Sequence, residues 1–153
     1  MPMKLFELFY KYLPTYLDAM VITIEVTIMS LAIATVLGII FCLFKLSKFK
    51  LLQLISDTYL SIIRGTPLVV QILFIFFGLP MAFGFKWQIM VVSVVILSLN
   101  AGAYMTELIR GGIEAVDKGQ MEAARSLGLS YGQAMRKIVL PQAVRTMLPS
   151  IIN

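Results

Sequence analysis

The stretch AMVITIEVTIMSLAIATVLGIIFCLF at 19–44 decides the fold class, and its only charged residue is Glu25. At about 1.5 Å per residue, a helix of this length exceeds the ~30 Å hydrocarbon core of a bilayer, which predicts a transmembrane span. Ser30, Ala34 and Gly38 recur every four residues within it. Their small side chains share one face and predict close packing against another helix.

The composition of the whole chain is typical of a membrane protein. Of its 153 residues 59% are hydrophobic and 14% are charged, and the mean hydropathy is +0.91, whereas soluble domains carry about 25% charged residues. The net charge of +5 therefore has little polar surface on which to bind nucleic acid. Histidine is absent and Cys42 is the single cysteine, so we predict no internal disulfide and no metal site.

Two further apolar stretches predict an all-α, polytopic membrane helix bundle in one domain, residues 1–153. The second stretch must bend near 64–67, because Pro67 lacks an amide donor and disfavours helical geometry in the residue before it. Irregular backbone at membrane depth needs protein or a cavity beside it, so the bend is a candidate wall of a solute path. The predicted spans are 19–44, 59–79 and 88–110, with a fourth beginning at about 147–153.

Polar side chains recur at helical spacing along one face of the third span. Such groups usually face a bundle interior or a cavity. The structural alternative is that Asn100 hydrogen-bonds a neighbouring helix and that Glu107 pairs with Arg110, three residues later. The candidate solute contacts, two of them at the bend, are Asn100, Tyr104, Glu107, Thr66 and Gln71.

Basic residues are concentrated on one side of the predicted spans. Lys45, Lys48 and Lys50 follow the first span and most others follow the third, whereas few lie at the N-terminus and in the turn at 80–88. The positive-inside rule therefore predicts that the N-terminus is outside and that residues 111–146 form a cytoplasmic loop.

The cytoplasmic loop carries the signals of a helix-turn-helix. Gly128 predicts a left-handed cap after the first helix, and Leu140-Pro141 predicts the end of the second. Such a unit can lie on the bilayer, pack beneath the spans, or dock into a partner protein. Two capping-box spacings predict the helix starts, Asp117 with Gln120 and Ser130 with Gln133.

The same loop resembles a known signature. GluAlaAlaArgSerLeuGly at 122–128, then nine residues, then Ile138-Val139-Leu140-Pro141, is similar to the EAA loop of binding-protein-dependent ABC importer permeases. Ile63-Arg64-Gly65-Thr66-Pro67-Leu68 and LeuAsnAlaGlyAlaTyr at 99–104 resemble elements of the polar amino acid branch of these permeases.

The resemblance implies a type I importer permease fold of about five spans, so a chain with three predicted spans would be truncated at its C-terminus. It implies that this chain is not an enzyme and holds no cofactor, since ATP and Mg²⁺ would bind a separate ABC ATPase. The sequence indeed contains no G-x-x-x-x-G-K-[ST] motif. The residues that the resemblance assigns to coupling with the ATPase are Glu122, Ala123, Ala124, Gly128, Ile138, Leu140 and Pro141.

The implied function is that of the transmembrane subunit of an ATP-driven amino acid importer in a bacterial cytoplasmic (inner) membrane. Implied partners are ATPase subunits, a second permease subunit that is identical or homologous, an extracytoplasmic solute-binding protein, a polar amino acid and membrane lipid, with no nucleic acid. The alternative is a truncated membrane interaction or scaffold protein without transport activity.

Overall fold

The fold is a bundle of helices in a computed structural model that describes the backbone of residues 2–152 and the side chains of residues 6–152. Over that range the secondary structure is helical without strands, which confirms the predicted all-α class. Two short π-helical segments, π1 (Phe74–Gly78) and π2 (Met135–Val139), lie between α-helices. The α-helices are α1 (Pro2–Leu46), α2 (Lys50–Gly65), α3 (Leu68–Leu73), α4 (Leu79–Phe83), α5 (Ile89–Glu114), α6 (Lys118–Ser126), α7 (Tyr131–Ala134) and α8 (Leu140–Ile152).

The centre of the bundle is the contact between α1 and α5, which run in the same direction. Ser30 Oγ donates to the carbonyl of Val94 at 3.5 Å, and farther along α1 Gly38 lies against Met105. Ser30, Ala34 and Gly38 are all buried. The predicted small-residue face is therefore confirmed, and it lets the two backbones approach closely.

The predicted bend lies at Thr66-Pro67, where α2 and the segment Leu68–Phe83 meet at 104°. The structure thus divides the predicted span 59–79 between two helices. α2 is held to α5 by the hydroxyl of Tyr59, which donates to the carbonyl of Leu99. The segment after the bend then lies along the N-terminal half of α5.

Two Leu-Pro pairs, Leu79-Pro80 and Leu140-Pro141, continue a helix instead of ending it. The amide of Leu79 donates to the carbonyl of Phe74, and the amide of Leu140 donates to the carbonyl of Met135. Each acceptor lies five residues earlier in the chain, so a π turn precedes each Leu-Pro pair. Each proline then falls in the first turn of the next α-helix, where its missing donor costs little. The prediction that Leu140-Pro141 ends a helix is therefore wrong.

The helices extend beyond the predicted spans. α1 begins at Pro2, well before residue 19, and α5 ends at Glu114. α8 begins at Leu140 and packs antiparallel to α5, with Gly112 against Met147 and the carbonyl of Ala143. The helix pair α6–α7 therefore lies between two helices that belong to the bundle.

Candidate functional site

The break between α2 and α3 is closed by one buried side chain. Pro67 has no amide hydrogen, so the carbonyl of Ile63 loses its helical donor. Gln71, only 8% exposed, donates its amide to the carbonyl of Ile63 at 2.7 Å. The same amide donates to the carbonyl and the Oγ1 of Thr66, both at 3.0 Å. Gln71 therefore holds the two sides of the break together.

Asn100 connects this break to α5. Its Nδ2 donates to Oε1 of Gln71 at 3.4 Å. One residue earlier, the carbonyl of Leu99 accepts from the Tyr59 hydroxyl at 2.6 Å. The structure thus brings Thr66, Gln71 and Asn100 together in one polar network, and Asn100 makes the inter-helix contact that the sequence allowed as an alternative.

Glu107 lies at the centre of an ionic cluster formed by Lys45, Asp57, Arg64, Glu107 and Arg110. Its carboxylate accepts from Arg110 at 2.7 Å, and Lys45 Nζ and Arg64 Nη1 lie 3.7 and 4.0 Å away. Lys45 also pairs with Asp57 at 2.6 Å. The carboxylate therefore ties α1 and α2 to α5, and the predicted Glu107–Arg110 pair is present.

Tyr104 lies one helical turn after Asn100 on α5. It is 51% exposed, and the guanidinium of Arg64 lies 5.8 Å from its ring centroid. Arg64 thus links Tyr104 to the ionic cluster, which borders a cleft of about 510 Å³. Sequence reasoning did not select Arg64 or Lys45 as site residues; the available signal was a basic residue three positions before Pro67.

Within the described residues, no group of ligands suits a metal ion.

The first helix of the loop, α6, is capped at its N-terminus by Asp117, whose carboxylate accepts from the Gly119 amide at 2.6 Å. Gln120 does not complete the predicted capping box. Its Oε1 instead accepts from Gln142 of α8 at 3.3 Å, because that helix passes beside it. The second predicted capping box, at the start of α7, is present.

Gly128 ends α6 in the left-handed conformation, with φ of +85°, as predicted. Its backbone amide donates to the carbonyl of Arg125, and the amide of Leu129 donates to the carbonyl of Ala124, five residues earlier. This pair of bonds is a Schellman cap, which favours glycine at that position because a Cβ strains the backbone.

The predicted coupling residues do not form one surface. Glu122 and Ala123 are exposed, but Ala124 is buried within the helix pair. Sequence reasoning missed Leu127, which is 84% exposed at the end of α6; an apolar residue just before the glycine cap was the available signal. Ile138 is half-buried in π2, while Leu140 and Pro141 lie in the first turn of α8, beside the bundle.

Gln71→Met is expected to lower thermal stability, because the carbonyls of Ile63 and Thr66 would lose their shared donor. Loss of a hydrogen bond of this kind costs about 0.5–1.5 kcal/mol. The melting temperature of the purified protein in detergent measures this effect. Gln88→Met is the matched control, because Gln88 is exposed just before the start of α5. Equal melting temperatures for both variants would contradict the role of Gln71.

Residues 30–153 match the family described as the inner membrane component of binding-protein-dependent transport systems. The chain belongs to this family. Membership confirms the predicted resemblance to importer permeases and the multi-pass membrane location. It also supports the prediction of a transport component that is not an enzyme.

Individual permeases are similar in sequence to this chain. The arginine transport system permease protein ArtQ of Bacillus subtilis is 45% identical over 141 residues, covering 92% of this chain and 64% of ArtQ. GlnP of Rickettsia bellii, assigned to a glutamine transport system, is 39% identical over 152 residues, covering 97% of this chain and 70% of GlnP. The chain thus spans about two thirds of the length of these permeases.

A solved structure has the same fold. A chain in the crystal structure of an amino acid ABC transporter with histidines superposes with a TM-score of 0.87 at 40% identity. The match covers 93% of this chain and 66% of that chain.

Proposed function

We propose that this permease is the membrane subunit of an ATP-driven importer of polar amino acids. The names of its relatives refer to arginine and glutamine transport. The similar solved structure is that of an amino acid ABC transporter with histidines. An extracytoplasmic binding protein would deliver the solute, a second permease subunit would complete the path, and separate ATPase subunits would bind ATP and Mg²⁺.

The observation that carries this proposal is the position of α6. It lies in the chain between α5 and α8 and is followed by an exposed apolar residue, Leu127, while the acidic Glu122 and the small Ala123 on α6 are also exposed. A groove on the ATPase would take Leu127 as its apolar anchor, while Ala123 permits close approach. Because α7 continues through π2 into α8, movement of α6 would pass directly to the bundle.

A transport assay tests the whole proposal. The permease would be assembled in liposomes with its partner ATPase and binding protein. We expect ATP-dependent uptake of a polar amino acid and ATP hydrolysis that rises when the loaded binding protein is added. An ATPase that binds the permease without any response to loaded binding protein would favour the scaffold alternative.

Leu127→Ala is expected to weaken ATPase binding about tenfold, because a buried apolar anchor at an interface contributes more than 1 kcal/mol. Binding of the purified ATPase to permease in nanodiscs measures this effect. Leu51→Ala removes an equally large exposed side chain from α2 and serves as the control. Unchanged ATPase affinity in Leu127→Ala would exclude Leu127 as an anchor.

The candidate solute path follows the polar residues between the break and the ionic cluster. Asn100 and Tyr104 are the residues we propose for direct contact, because Tyr104 is open and Asn100 is half-buried with one long hydrogen bond. Thr66 and Gln71 line the same region but are already bonded to each other. Glu107 would bind a cationic solute side chain only if that side chain replaced one of the three basic residues that now pair with its carboxylate.

Asn100→Ala is expected to raise the KM for solute about tenfold, which corresponds to the loss of one hydrogen bond of about 1.4 kcal/mol. Uptake kinetics in the assembled transporter measure it. Ser98→Ala is the matched control on α5, because the Ser98 hydroxyl is buried without a hydrogen-bond partner among the described residues. A wild-type KM in Asn100→Ala would remove Asn100 from the path.

We further propose that the N-terminus is outside the cell membrane and that α6 and α7 are cytoplasmic. The basic residues Lys45, Lys48 and Lys50 at the end of α1 support this orientation through the positive-inside rule. Labelling of a cysteine introduced in α6, in whole cells and in inverted vesicles, would test it.

A further inference from the structure

The first part of α1 extends beyond the end of the bundle. The helix has 45 residues, and at about 1.5 Å per residue it is roughly twice as long as a ~30 Å hydrocarbon core. Because α1 and α5 are parallel and Ser30 lies beside Val94, Trp87 lies level with about Thr23. The aromatic residues Phe83, Phe85 and Trp87 mark the outer end of the bundle. Residues 2–18 therefore project past it.

The projecting segment has a narrow polar stripe. At the helical advance of about 100° per residue, Glu7, Lys11, Thr15 and Asp18 fall within a sector roughly 100° wide. Large apolar and aromatic side chains cover the rest of the circumference and are exposed. They are Phe6, Leu8, Phe9, Tyr10, Tyr12, Tyr16 and Leu17.

This distribution fits a bilayer interface better than a protein surface. A protein docked on one side of a helix covers about half of its circumference, whereas here the apolar arc takes up all but the polar stripe. Tyrosine and phenylalanine are enriched at the boundary between headgroups and acyl chains, where their rings are buried and their polar atoms reach water. A narrow charged stripe of alternating sign then faces the solvent.

Pro14 favours a bend of the projecting segment in one direction. It lies within α1 and at the edge of the polar sector. Its ring and missing amide leave the carbonyl of Tyr10 without a donor and open the helix on that side. A bend at this position would be directed away from Pro14 and would turn the aromatic face towards the membrane.

We propose that residues 2–13 form an interfacial helix that lies in the outer boundary of the bilayer, and that α1 bends at Pro14 to join this helix to the first span. The occupant of its aromatic face is membrane lipid. This surface does not depend on the transport function proposed above, because it requires neither the ATPase nor a solute.

Environment-sensitive labels at single cysteines test the proposal. In a Cys42→Ala background, Phe9→Cys places an NBD label on the aromatic face and Lys11→Cys places it on the polar stripe. The full chain would be reconstituted in phosphatidylcholine–phosphatidylglycerol vesicles with iodide on both sides. We expect the Lys11 label to be quenched by iodide at least about threefold more strongly, and the Phe9 label to be quenched by lipids doxylated near the headgroup.

The outcomes are distinct. Equal iodide quenching at both positions would overturn the proposal, because the segment would then project into water. Protection of the Phe9 label only after the extracytoplasmic binding protein is added would also overturn it, by assigning the surface to that partner. Adding Pro14→Ala is expected to increase iodide quenching of the Phe9 label, because a straight helix lifts the segment from the membrane.

Discussion

A Gly128→Val permease is expected to lose uptake at least about tenfold while it still inserts in the membrane, because valine in the left-handed region costs about 1–2 kcal/mol or more. Gly128 has φ of +85° and closes the Schellman cap of α6. A β-branched residue there would unwind the cap and displace Leu127. ATP hydrolysis by the assembled transporter would then no longer follow solute uptake, and their ratio is the measurement.

Gly132→Val is the matched control for this change. Gly132 lies four residues later in α7, its φ is not positive, and a Cβ there would meet no atom within 4 Å. We expect near-normal coupling in Gly132→Val, because valine has a higher helix propensity than glycine and its Cβ meets no neighbouring atom there. Equal coupling ratios in Gly128→Val and Gly132→Val would show that the cap geometry is not needed.

Gly38→Val is expected to destabilise the bundle by forcing α1 and α5 apart. A Cβ at Gly38 would lie 2.6 Å from Met105 Cγ and 3.2 Å from the Met105 carbonyl carbon, so the helices must move apart. Overpacking of this kind costs about 1–3 kcal/mol. A lower melting temperature in detergent, with less protein recovered as a single species, measures the effect.

Two further variants separate this steric cause from the general effect of valine. Gly111→Val, on the exposed face of α5, makes the same substitution where a Cβ meets no atom within 4 Å. The pair Gly38→Val with Met105→Ala restores space at the crossing and is expected to recover part of the lost stability. If Gly111→Val destabilises as much as Gly38→Val, the close approach of α1 and α5 is not the cause.

Much of the fold follows from short stretches of sequence. The apolar run at 19–44, the bend at Thr66-Pro67 and the turn at Gly128 each depend on properties of neighbouring residues: hydrophobic length, a missing amide donor and tolerance of positive φ. The small-residue face of Ser30, Ala34 and Gly38 is local in the same way. These features could therefore be predicted before any contact was known.

Other features required the tertiary contacts. Leu140-Pro141 continues a helix because π2 shifts the hydrogen-bond register before it, and the sequence does not state that shift. The broad aromatic face before Pro14 is visible in the sequence, but its position beyond the bundle follows from the parallel packing of α1 on α5.

The sequence by itself determined a polytopic helical membrane protein with a capped helix pair, because hydropathy, capping and backbone conformation are set by residues close together in the chain. Only the tertiary structure decided that Glu107 is held by Lys45 and Arg64 from two other helices, that Gln71 closes the break at Ile63, and that Leu127 is exposed. Burial and pairing depend on which distant segments meet, and local patterns do not specify those contacts.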